Sequence, residues 1–446
     1  MSEPGDSPPA HRPMRRVLGN FGFLLRGRGI AAVLLLGATA LMARALGPAE
    51  FGMVILMQTY VLLIRGLFNV KQFQGIIRYG VPALDASDTR TLRRLITICW
   101  RVDRRTSIAA TVLAATLAHL LGPSLGMDRE QVMLLSAYSL VLLTSGNITA
   151  IGILRLYDQF DTLGRKETIG PIFRFFGVAI AWWVEAPFAA YIAILAVAYV
   201  AENFYLTWAG RRIYRQHVGA TPEDEDHSDA RMAEFSGLRH FLWITYWQSN
   251  IDLIPKHVSV MLAGALLGAT DAGLLRLARQ FSTLLAKPAT LIRQVVFLDL
   301  TRSWNQGSTD FKLVAYRTAL VGGGIGLLFV LGGYFFGEVL LTTIIGEEFV
   351  AAAPVLTLLL LAATFEITAS SLRAAAYAIG HASKVLRLSV LTAVIYLTLF
   401  TALSLEMGLI GTGIAACAAA ALPPLVMAIL IARSTRKQPA SQDRPE

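Results

Sequence analysis

Cysteine is almost absent from the chain. Cys99 and Cys417 are the only two, far apart and in no CxxC or Cys/His cluster, so neither a disulfide framework nor a structural zinc site is supported. Charge is scarce as well: 16% of the residues are Asp, Glu, Lys or Arg, against 55% hydrophobic, with a mean hydropathy of +0.55. That balance excludes a soluble globular protein and gives a polytopic membrane protein. There is no Gly-rich phosphate loop, no GxSxG elbow and no HExxH helix. The hairpins opposite the basic connections are too short for an enzyme domain, so we expect no enzyme, no cofactor and no metal.

Acid is the scarcer sign. Forty Lys and Arg stand against 30 Asp and Glu, a formal charge of +10. No RNA or DNA motif accompanies the excess, so nucleic acid is not an expected partner. Apolar runs of about 20 residues cross a bilayer, and twelve such runs occur near 29–46, 50–70, 105–123, 130–153, 168–185, 188–208, 239–265, 271–298, 314–341, 350–372, 385–406 and 409–432. Alternate connections hold Lys71, Arg78, Arg93, Arg155, Lys166, Arg211, Arg302 and Lys384, whereas the others hold only Arg129. By the positive-inside rule both termini are then cytoplasmic. No cleavable signal is visible, and the first run is expected to serve as an uncleaved helix.

The division expected from these runs is a cytoplasmic tail over 1–25, a six-helix bundle over 26–211, a linker over 212–237 containing the acidic TPEDEDHSDA, a second six-helix bundle over 238–433 and a cytoplasmic tail over 434–446. Residues 71–104 are expected to hold a basic amphipathic helix along the inner leaflet, capped by Asp85 or Ser87. A repeat supports two halves. ALGPAEFG at 45–52 and LLGATDAG at 266–273 match in Leu46 and Leu267, Gly47 and Gly268, Glu50 and Asp271, and Gly52 and Gly273. Six helices per copy is an even number, so the copies insert in one orientation, as parallel repeats.

Two runs carry charge where lipid forbids it. A Lys or Arg at the centre of a membrane helix costs at least about 2.5 kcal/mol. In the seventh run Thr245, Gln248, Asp252, Lys256 and Ser259 share one face, and in the eighth Arg276, Gln280, Thr283, Lys287, Thr290 and Gln294 do, with Arg279 and Arg293 one step aside. Asp252 and Lys256 neutralise each other at i and i+4; the cations of the descending helix have no local acid. The hairpin is therefore read as a site for anions. Arg279, Lys287, Arg276 and Arg293 offer charge-assisted hydrogen bonds to phosphate oxygens, with snorkelling as the competing reading for Arg276 and Arg293. In the second run Gln58, Arg65 and Asn69 lie on one face, Arg65 next to the repeat position of Lys287. Asp252 and Lys256 fit equally a gating or coupling pair and a structural pair, with Pro255 expected to bend the helix between them. Arg174 and Glu366 are expected to be deep and partnered by other helices.

ARALGPAEFG, QFQGIIRYG, IIGEEFVAAAPVL and LRAAAYAIGHASK, in that order along nearly the whole chain, resemble bacterial polysaccharide flippases. These form the O-antigen or exopolysaccharide exporter branch of the multidrug and oligosaccharidyl-lipid exporter superfamily. The resemblance implies an all-α, MATE-like, V-shaped pair of six-helix bundles in the bacterial inner membrane, moving undecaprenyl-diphosphate-linked oligosaccharide by alternating access, with helices 1, 2, 7 and 8 lining the cavity. The implied partners are the lipid-linked oligosaccharide, membrane lipids and polysaccharide-assembly glycosyltransferases or a polymerase. Family members often carry a proline near the end of helix 8, where this chain reads QVVFLDLTRSW. A cation-coupled drug antiporter of the same superfamily, and a membrane-embedded glycan ligase or polymerase, are the alternatives; the basic excess argues against the first and the missing motifs against the second.

Overall fold

A computed structural model describes residues 12–219, 232–251, 253–284, 311–379 and 381–434. Among the described residues there is no strand. The helices are α1 (Arg12–Leu67), α2 (Gln72–Asp85), α3 (Thr89–Leu121), α4 (Arg129–Ser139), α5 (Ile148–Leu156), α6 (Phe160–Trp183), α7 (Phe188–His217), α8 (Leu238–Ile251), α9 (Leu253–Leu267), α10 (269–284), α11 (Phe311–Ile344), α12 (Ala353–Ala378) and α13 (Ala382–Ser434). Among the described residues six stretches are long and apolar enough to cross a membrane, and two of them, Gly29–Asp85 and Ser383–Arg433, are long enough to cross twice. Gly47 (φ 69, ψ 175) and Gly408 (φ 61, ψ −140) break α1 and α13 into the two limbs that this requires. α3 and α6, which fall outside that set, carry charge along their lengths.

Left-handed backbone marks all six hairpins on one side of the sequence pattern. Gly47, Gly126 and Glu185 have positive φ in the first half, Gly268, Gly346 and Gly408 in the second. Their separations are 221 (268 less 47), 220 (346 less 126) and 223 (408 less 185). The repeat that the sequence shows at one hairpin therefore extends to all three, although Glu185 and Gly408 share no residue type. Glycine adopts φ above zero without the Cβ clash that other residues incur.

The chain forms two compact units. The first comprises 1–45, 64–120 and 130–247, the second 46–63, 121–129 and 248–446. The second limb of α1 thus belongs mostly with the C-terminal helices, and it does so through the repeated motif itself. A Cβ on Gly52 would stand 1.9 Å from the Ala269 carbonyl oxygen, and one on Gly273 would stand 2.8 Å from Gly52 Cα. The matched glycines are the surface on which the two copies touch backbone to backbone, a device common to membrane helices. Phe51 packs edge-on against Phe349 beside them, with centroids 5.8 Å apart. Elsewhere in this unit Gly326 approaches Thr364, Gly333 Leu360 and Gly413 Leu358, each too closely for a side chain.

The first unit packs α2, α3, α5, α7 and α8 around Ile76, Leu92, Leu95, Ile96, Ile153, Tyr214 and Leu242. Over 71–104 the helix expected after Asp85 or Ser87 is the start of α3, continuous to Leu121, with Leu92, Leu95, Ile96 and Cys99 buried in this core. α2 precedes it as a separate helix, with Gly152 making room for Ile76. Its chain then turns through Ser87 (φ 56). The residue that caps α3 is Asp88, whose Oδ1 accepts from Thr91 N at 3.0 Å, and neither Asp85 nor Ser87. A second difference lies at 130–153, which is not one helix. α4 stops at Ser139, Leu140–Ser145 form a 3-10 turn, and α5 restarts after Asn147 (φ −119, ψ 7).

Candidate functional site

Depth along each helix follows from the 1.5 Å rise per residue. Arg65 lies eighteen residues past Gly47 and Asp103 eighteen before Leu121, so both sit roughly 27 Å from the hairpin side, near the far edge of a hydrocarbon core about 30 Å thick. Arg279 and Lys256 are each eleven residues from the turn at Gly268 or its neighbour Leu267, roughly 16 Å in and close to mid-membrane.

In the second unit the structure brings together Lys256 and Arg279. Arg279 Nη1 donates to the Lys256 carbonyl at 2.8 Å and to Ser259 Oγ at 2.9 Å, and Nη2 donates to the Tyr396 hydroxyl at 2.9 Å. Three elements, α9, α10 and the first limb of α13, are thus fastened by one guanidinium. All three acceptors are neutral. They solvate the cation without cancelling it, and no ion pair forms at Arg279 among the described residues, so the positive charge remains available to an anion. Lys256 is exposed, while Arg276 and His257 are half-buried on the same helices. Lys287, Arg293 and Asp252 lie outside the described residues, as does the end of the eighth run where a proline is often found. The pairing of Asp252 with Lys256 falls there too; Pro255 is helical and half-buried, and so is Gln58 on the second limb of α1.

Arg65 belongs to the first unit. Its guanidinium stands over the Tyr199 ring at 5.1 Å, again a neutral partner. It lines a small pocket with Phe68, Asn69, Asp103, Thr106, Ser145 and Ile148. Here acids are close by. Asp103 is only 2% exposed, and its Oδ2 accepts from Thr149 N at 2.8 Å, at the N-terminus of α5. Asn147 Nδ2 donates to Asn203 Oδ1, and Asn203 Nδ2 to Thr144 Oγ1 at 3.3 Å. At a similar level on α6 and α7, Lys166 Nζ pairs with Glu202 Oε1 at 2.6 Å. Gly170 leaves the room, since a Cβ there would stand 2.7 Å from Glu202 Oε2. Arg174, one turn on, lies within electrostatic reach of Glu202 and Tyr138, as expected of a deep partnered residue. Glu366 does not follow that expectation: it is exposed on α12 and forms no ion pair among the described residues.

Tyr396, Asp103, Asn147, Asn203 and the Lys166 to Glu202 pair were not legible as site residues. Asp103 is masked in sequence by the arginines of WRVDRR, and Lys166 reads as part of a basic connection because α6 begins earlier than its apolar run. The polar TSGN at 144–147 was the available signal for the helix break.

No family model matches the chain. The inner membrane protein YghQ of Escherichia coli (strain K12) is 25% identical over 345 residues, covering 76% of this chain and 95% of that protein. Among solved structures, an inward-facing multidrug resistance MATE family transporter of the MOP superfamily aligns with a TM-score of 0.71 at 16% identity, over 91% of this chain and 96% of that one. The lipid II flippase MurJ, in an inward closed conformation, aligns with a TM-score of 0.71 at 12% identity, over 92% and 87% respectively. The chain is an all-α membrane protein with the MOP transporter fold.

Proposed function

We propose that this protein is a flippase that translocates undecaprenyl-diphosphate-linked oligosaccharide repeat units across the bacterial inner membrane by alternating access, for polysaccharide assembly. The observation that carries the reading is the state of Arg279. It is an intramembrane cation held by three neutral oxygens with no ion pair among the described residues, which supports a site for a diphosphate or an acidic sugar. Lys256, Arg276, Arg65, Lys287, Arg293 and Gln58 are assigned to the same substrate site from sequence. The MurJ likeness supports lipid-linked cargo, and the YghQ relative supports the inner membrane; both termini are assigned to the cytoplasm. The polyprenyl tail stays in lipid while the head passes through the protein. No catalysis enters this account, and glycosyltransferases or a polymerase act before and after it.

Cells lacking the protein should accumulate the polyprenyl-diphosphate glycan on the cytoplasmic leaflet, as read by an impermeant label, and restoring the gene should clear it. Accumulation on the outer leaflet would place the block after translocation and favour a ligase or polymerase. The MATE likeness favours a second reading, a drug antiporter. That reading predicts acids in the second unit's cavity helices, and the described charged residues of α9 and α10 are Lys256, Arg276 and Arg279 against a single acid, Asp271, three residues past the turn at Gly268.

A further inference from the structure

Asp103 is a carboxylate without a cation. Its Oδ2 takes the Thr149 amide, and Ser107 Oγ on its own helix donates to its backbone carbonyl at 2.8 Å, but no ion pair forms at it among the described residues. An ionised carboxylate buried to this degree is unfavourable by several kcal/mol unless paired. Opposing that cost, the N-terminal amides of α5 favour the anion. These amides and the Thr149 hydrogen bond offset part of that cost, so the site can bind and release a proton. The charged and titratable groups around it are few. Arg65 of α1 faces the same pocket, Cys99 lies one turn earlier on α3, and residues 140–154 contribute hydroxyls and amides but no charge.

The carboxylate, on α3, also packs against the break between α4 and α5. A Cβ on Gly146 would stand 2.8 Å from Ser107 Oγ and 3.2 Å from the Asp103 carbonyl oxygen, so the break is seated directly on α3 at this residue. Ser145 Oγ reaches Ser107 Oγ at 3.5 Å. We propose that Asp103 is a proton-binding site that sets the state of the break between α4 and α5. Ionised, it holds the first turn of α5 through the Thr149 amide. Protonated, it releases that turn. The consequence for transport rests on the flippase reading; the binding of the proton does not.

Hydrogen–deuterium exchange on the full chain in lipid nanodiscs, corrected for intrinsic rates, tests this. Protection of amides 148–151 should fall several-fold as the pH is lowered from about 8 to about 5. Asp103→Asn keeps an acceptor for Thr149 N without the charge, so the fold is retained; it should show the low protection at both pH values, while Asp103→Glu should keep the response. An unaltered pH response in Asp103→Asn would overturn the proposal, as would a change driven by sodium at fixed pH. If the response stands but no glycan is moved, the flippase reading fails alone.

Discussion

The two units hold their intramembrane cations in opposite ways. In the first, acids are near: Lys166 is paired with Glu202, and Arg65 shares a pocket with Asp103. In the second, Arg279 is held by a carbonyl and two hydroxyls, with no acid. A cation surrounded by neutral acceptors is built to receive an anion, whereas one beside a carboxylate has a charge that a proton can switch. Backbone packing differs as well. Two glycines give a packing contrast: a Cβ on Gly52 of the second unit would meet the Ala269 backbone, whereas one on Gly80 of the first would meet only side chains.

The packing contrast gives the largest expected effect. Gly52→Ala forces a methyl into the Ala269 carbonyl, and overpacking of this kind costs about 1–3 kcal/mol or more; the thermal midpoint of the purified protein should drop sharply. Gly80→Ala in the first unit meets Leu156 and Leu92 side chains at 3.4 Å, an ordinary contact, and should leave the midpoint unchanged or slightly raised. Equal effects at the two sites would break the comparison. Next comes Arg279→Ala, which removes three hydrogen bonds and the charge. Hydrogen bonds to charged groups contribute roughly 1.5–3 kcal/mol each, so glycan export should fall at least about tenfold. Arg279→Lys should restore part of it, since it keeps charge without the fork, and Tyr396→Phe should lower stability by about 1 kcal/mol.

In the first unit, a double-mutant cycle on Lys166→Met and Glu202→Gln sharpens the contrast. The side chains are 21% and 24% exposed, and we expect a coupling of about 1–3 kcal/mol, between surface and fully buried pairs. Coupling near zero would remove the charge-pair side of the comparison. The smallest effect belongs to Asp88. Its carboxyl is held below the usual carboxylate range, mainly by the Thr91 hydroxyl and then by the Thr91 amide. Because the folded value is depressed, its stabilisation is present above the unfolded value, near 4, and is lost as pH falls through the folded one. Asp88→Ala should slightly lower the midpoint at neutral pH and not in acid.

Most of the helix pattern is legible from hydropathy, and the parallel repeat from a single hairpin motif, because turn glycines and apolar runs are local signals. The exceptions are tertiary. A helix break at 140–147 is paired with residues on α3 and α7 that no spacing rule connects. The start of α3 reads as a surface helix because its basic face is local, while the burial of Leu92, Leu95 and Ile96 depends on distant helices. Arg279 reads as a cavity cation from its face, and the structure adds what the face cannot show, its three neutral partners. Lys287, Arg293 and Asp252 fall outside the described residues, so their assignment remains an inference from sequence.

The most direct measurement is translocation in reconstituted vesicles carrying a polyprenyl-diphosphate oligosaccharide, read as the fraction of glycan reached by an impermeant glycosidase. The account predicts that the wild-type protein moves glycan between leaflets and that Arg65→Ala combined with Arg279→Ala, present at equal level, abolishes this. Equal translocation by the double variant, or none by the wild type, would contradict it.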